Sequence, residues 1–76
     1  MMDEKALMHA LGEQIRHHRT KRGKTQNWLA EQADLSTRFL CLLETGQKCA
    51  RLITLLRISE ALDITLSELL TGIERN

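Results

Sequence analysis

The sequence predicts an all-α protein of five helices, and three observations carry that expectation. Apolar residues recur at three- and four-residue spacing along most of the chain, the period of one helix face. Proline is absent and glycines number four among 76 residues, so few positions interrupt a helix. The twenty residues from Thr25 to Glu44, TQNWLAEQADLSTRFLCLLE, read as two short helices joined by a tight turn.

Leu7, Leu11 and Ile15 repeat every four residues in a segment that stops at Gly23, which predicts a first helix from about Glu4 to Arg22. Thr25 can accept a hydrogen bond from the free amides of a new first turn, so the second helix starts at Gln26 and turns Leu29, Ala30 and Ala33 to one side. Asp34 and Leu35 form the turn, and Ser36 caps a third helix with Leu40 and Leu43 inward and Thr37 and Arg38 beginning its outer face. The pair Thr45-Gly46 ends it. Leu52, Leu55, Leu56, Ser59 and Leu62 define the predicted buried stripe of a fourth helix. Thr65 and Glu68 form a capping box for a short fifth helix with Leu66, Leu69 and Leu70, ended by Gly72. Helices this short need a common scaffold.

Residues 1–76 leave room for one small domain, and repeats, low-complexity segments and linkers are absent. Aromatics are 3% of the chain, so Leu and Ile must fill the core. No apolar run is long enough to span a bilayer and no leader pattern is present, which predicts a soluble cytoplasmic protein without membrane association. Cys41 and Cys49 make no disulfide framework and read as reduced thiols. His17 and His18 are adjacent, about 100° apart on a helix, and cannot share a metal. No nucleophile has a base and orienting acid at matching positions, so neither an enzyme nor a bound metal or cofactor is expected.

Net charge is +1, but its distribution is uneven. Residues 15–30 contain Arg16, Arg19, Lys21, Arg22 and Lys24 and no acid; residues 59–76 contain four acids against Arg75. Such a dipole draws a phosphate backbone to one end of the molecule. The competing reading is a solvated basic face near a helix C-terminus, where cations also favour the dipole.

The segments LGEQIRHHR, RGKTQNWLAEQADLS, LLETG and LLRISEALDITLSELL together resemble the phage-repressor-like helix-turn-helix family of Cro and Xre type. The resemblance runs from Leu11 to Leu70, a core of residues 11–70, without a gap. It implies a five-helix lambda-repressor-like DNA-binding domain whose helix-turn-helix is formed by helices two and three, with double-stranded DNA as partner. It implies that Gln26 contacts a phosphate, with Lys24, Thr25, Lys48 and Arg51 as further phosphate contacts. Arg19 is implied to pair with Glu44, and Thr37, Arg38 and Leu42 to face base edges. Arg38 can give two hydrogen bonds to guanine O6 and N7, or else reach a phosphate or solvent. Thr37 suits a base or a phosphate, and Leu42 suits thymine methyls or a protein partner. Trp28 fits partly buried packing better than a DNA contact, and Phe39 fits packing against neighbouring structure or a sugar.

This chain departs from the family pattern in three places. Asp34 and Asp63 stand where the family often has Gly, and Ala50 and Arg51 stand where it has Pro and a Ser or Thr cap. A single domain reads a short half-site weakly, so a homodimer on an inverted repeat is expected, with Ile64, Leu66, Leu70 and Ile73 as its apolar interface. Two functions follow: a sequence-specific transcriptional regulator, or a protein-binding module of the same fold, antitoxin-like or regulator-binding, using Phe39, Cys41 and Leu42.

Overall fold

Four of the helices in this chain begin where a side chain takes an orphan amide of the first turn. In a computed structural model describing residues 3–73, the helices are α1 (Glu4–Lys21), α2 (Gln26–Gln32), α3 (Thr37–Glu44), α4 (Leu52–Ala61) and α5 (Leu66–Leu70). Asp3 accepts from the Ala6 amide at 2.7 Å, and Thr25, Ser36 and Thr65 accept at 3.0 Å from the amides of Trp28, Phe39 and Glu68. Glu68 returns the bond by accepting from the Thr65 amide at 2.8 Å, which completes the capping box and holds its carboxyl below the usual range. Only α4 starts without a side-chain cap, because Arg51 occupies that position. Glu74 and Arg75, part of the acidic C-terminal run, lie outside the described residues.

The first four helices stop by one device. Gly23, Asp34, Gly46 and Asp63 all have positive φ, at 70°, 60°, 77° and 57°. Each turns the chain so that the next amide folds back onto the helix: Lys24 to the Arg19 carbonyl, Leu35 to Ala30, Gln47 to Leu42 and Ile64 to Ser59. Aspartate adopts this conformation at a cost of roughly 1 kcal/mol, less than other L-residues because its short side chain bonds locally. The two aspartates therefore do the work of the missing glycines.

Ile15, Leu29, Leu40, Leu43, Ile58, Leu62 and Leu69 are fully buried and draw all five helices onto one core. Helix α1 packs on α3 and α5, α2 on α3 and α4, and α4 on α5. Trp28 and Phe39 are partly buried against this core, as are Leu35 and Ile64, the residues that follow the two aspartate turns. His18, on α1, has its pKa lowered first by desolvation and then by the charges of His17 and Lys21, while Glu68 of α5 pulls the other way.

Two sequence expectations need correction. Leu7 begins the predicted stripe of α1 yet is 38% exposed; the buried face starts at Gly12. On α4 the buried residues are Thr54, Leu55, Ile58, Ser59 and Leu62, so the stripe is rotated relative to the predicted one. Leu52 and Leu56 fall at its edge, exposed beside Ile53. The four residues expected at the dimer interface differ in burial. Ile73 is buried within the protein's own fold, whereas Ile64 and Leu66 pack against its core while remaining partly exposed. Leu70 alone of the four is partly exposed without belonging to that core cluster.

Gly12 is where α1 and α3 come closest. A Cβ placed there would collide with the Leu43 carbonyl oxygen and stand 2.7 Å from that of Glu44. Replacing a mid-helix Gly with Ala ordinarily favours a helix by about 1 kcal/mol. Here the helices must separate, and overpacking of this kind costs about 1 to 3 kcal/mol. Gly12→Ala is accordingly expected to lower the midpoint of urea unfolding; a raised midpoint would contradict the close approach.

Candidate nucleic-acid interface

A buried arginine organises the surface that the sequence points to. Arg19, near the end of α1, is 9% exposed, and Glu44, the last residue of α3, is 5% exposed. Arg19 donates through Nε to Glu44 Oε2 at 2.7 Å and through Nη2 to Oε1 at 3.0 Å, a two-pronged pair. Its Nη1 donates to the Lys24 carbonyl at 2.7 Å, in the loop that leads into α2. The Gln26 side chain donates to Glu44 Oε1 at 3.0 Å. One carboxylate thus ties the end of α1, the start of α2 and the end of α3. Among the described residues no buried side-chain nitrogen or oxygen lacks a partner, so the two buried charges are fully compensated.

With its end fixed, α3 presents its N-terminal half outward. Thr37 and Arg38 are exposed on the first turn, Cys41 is exposed one turn later, and Leu42 is partly buried. The Thr37 hydroxyl donates to Asn27 Oδ1 on α2, so the first turns of the two helices are joined side chain to side chain. The start of α2 brings Thr25 and Gln26 to the same region: Thr25 Oγ1 accepts the Trp28 amide and keeps its own hydrogen. Gln26 retains a second N–H on its amide beyond the one given to Glu44. Lys24 holds its ammonium 4.7 Å from the centre of the Trp28 ring, a cation–π contact. Lys48 and Arg51 are exposed between α3 and α4, apart from that group in sequence.

The basic run of α1 divides once it is folded. Arg19 is committed to Glu44, and Arg22 donates to the Leu62 carbonyl at 2.6 Å, closing the end of α4. Arg16 and Lys21 remain exposed, and Lys24 is partly buried. The electrostatic patch is therefore smaller than the linear count of five suggests. Two residues escaped the sequence reading. Gly12 carried no signal beyond its place in a helix, and Asn27 is an ordinary exposed residue until Thr37 is seen beside it.

Comparison with known proteins agrees with this geometry. A family model described as a helix-turn-helix domain matches residues 10–71. The chain belongs to this family, the Cro and Xre type of DNA-binding helix-turn-helix proteins. No match was found among curated proteins. Among solved structures, the chain is similar to the restriction-modification controller protein C.AhdI from Aeromonas hydrophila, at 32% identity over 82% of this chain and 94% of that one, with a TM-score of 0.80. It is similar as well to the clp gene regulator ClgR from Corynebacterium glutamicum, at 31% identity over 88% and 87% of the two chains, with a TM-score of 0.84. The first of these is described as a controller protein and the second as a gene regulator. Among the described residues no helix is long and apolar enough to cross a membrane.

Removing one partner of a buried ion pair costs about 3 to 5 kcal/mol, because the other charge stays behind. Arg19→Met is expected to unfold at much lower urea, whereas the double variant Arg19→Met/Glu44→Leu recovers a large part of the loss. Additive losses in the two single variants and the double would mean that the pair is not coupled.

Proposed function

We propose that this protein is a sequence-specific transcriptional regulator that binds an inverted-repeat operator as a homodimer. The observation that carries the reading is the buried Arg19–Glu44–Gln26 network, which fixes α3 while leaving Thr37 and Arg38 exposed on its first turn. In this reading α3 enters the major groove. Arg38 takes guanine O6 and N7, Thr37 contacts a neighbouring base, and Leu42 meets thymine methyl groups. Thr25 and Gln26 give their remaining hydrogens to a phosphate, and Lys24, Lys48 and Arg51 supply charge along the backbone. The similar structures include a controller protein and a gene regulator, which supports control of transcription as the outcome.

The protein-binding alternative loses part of its surface in the folded chain. Phe39 is packed against the core, which leaves Cys41 and Leu42 as the apolar part of α3 that a protein could meet. For the dimer, the exposed apolar residues Leu52, Ile53 and Leu56 on one side of α4 offer a contact beside the partly exposed Ile64, Leu66 and Leu70, with Ile73 buried beneath. Two recognition helices about 34 Å apart then meet successive major grooves.

Two measurements test this reading. Arg38→Ala should cost about 1 to 3 kcal/mol on the preferred site and relax one base position, while Lys48→Ala should weaken all sequences alike and flatten the salt dependence. Uniform losses from both variants would remove Arg38 as a base reader. Ile53 is 48% exposed, so Ile53→Asp should leave the fold intact and shift the sedimenting species from dimer to monomer. A wild-type protein that stays monomeric on its own operator would eliminate the dimer.

A further inference from the structure

The contact between Asn27 and Thr37 has a chemical direction. Thr37 Oγ1 is the donor and Asn27 Oδ1 the acceptor, and both residues are exposed beside an open cleft that they line together with Trp28, Glu31, Leu35 and Ser36. A threonine hydroxyl has one hydrogen and two lone pairs. A free hydroxyl rotates to suit either a donor or an acceptor, which is why threonine ordinarily discriminates weakly among base edges. Here the hydrogen is spent inside the protein.

We propose that Asn27 is a specificity-determining residue: by accepting the Thr37 hydroxyl hydrogen, it leaves Thr37 an acceptor that selects a base presenting an exocyclic amine. The inference rests on the DNA reading above. In the major groove that amine is N6 of adenine or N4 of cytosine, whereas guanine O6 and thymine O4 need a donor that Thr37 no longer has. Glu31, one helical turn beyond Asn27, lines the same cleft with a carboxylate. An ionised carboxylate is an acceptor only, so it favours the same bases. Thr37 makes the contact, and Asn27 acts through it as a positioning residue.

The experiment is selection from a random duplex library with the wild-type protein and the variants Asn27→Ala, Asn27→Asp and Thr37→Val, each checked for helix content. Wild type is expected to enrich adenine or cytosine about five- to tenfold at one position of each half-site, the scale of one hydrogen bond. Thr37→Val removes that preference and identifies the position. Asn27→Ala should remove it there and leave the Arg38-dependent guanine untouched. Asn27→Asp keeps the acceptor for Thr37, so the preference survives while every sequence binds more weakly, because a carboxylate now faces the phosphates. Guanine or thymine at the Thr37-dependent position overturns the inference, as does an unchanged preference in Asn27→Ala or a lost one in Asn27→Asp. A wild-type protein that enriches no sequence overturns the DNA reading and this inference together; failure confined to the Asn27 variants overturns this inference alone.

Discussion

The rest of the structure depends on the buried pair between Arg19 and Glu44. Neither group is tolerable alone in an apolar setting, so each is held in place by the other and by further hydrogen bonds. The guanidinium uses its fork twice on the carboxylate and once on the Lys24 carbonyl, and Gln26 occupies the same carboxylate oxygen from α2. Three elements are thus oriented by directional bonds, where an apolar contact would leave them free to slide. Gly12 adds a second restraint, since only a residue without a side chain lets α1 lie against the carbonyls of Leu43 and Glu44. Helix α3 is held at its last turn and open at its first, which is the arrangement a groove-reading helix requires.

The turns extend that control. A left-handed residue after each of the first four helices reverses the chain within a few residues and satisfies a carbonyl that would otherwise be orphaned. Between α2 and α3 this role falls to Asp34, followed by Leu35 packed on the core, so the angle between the two helices is set by backbone geometry and burial together. The same turn sets the two helices at the distance at which the side chains of Asn27 and Thr37 meet.

Helix α4 shows a different compromise. It starts at Arg51 without the side-chain cap that Ser, Thr, Asn or Asp would supply, worth about 1 kcal/mol, and it exposes three large apolar residues. The missing cap weakens the start of the helix, and the exposed apolar residues are those proposed above to meet a second copy.

Sequence alone determined the all-α class, the order of the five helices and their caps at Thr25, Ser36 and Thr65, because these follow from local periodicity and from hydrogen bonds within a few residues. It also marked Asp34 and Asp63 as unusual. The tertiary structure decided what long-range packing decides. Leu52 and Leu56 match the α4 period as well as Leu55 and Leu62 do, and only the position of the other helices selects which side is buried. The family resemblance pairs Arg19 with Glu44, but nothing in the sequence marks Arg22, which the fold draws to a carbonyl 40 residues away. Ile73 looked spare until α5 returned it to the core. Gly12 and Asn27 carried no local signal at all: one matters because of a neighbouring backbone, the other because of a hydroxyl on the next helix, and neither proximity is encoded in spacing along the chain.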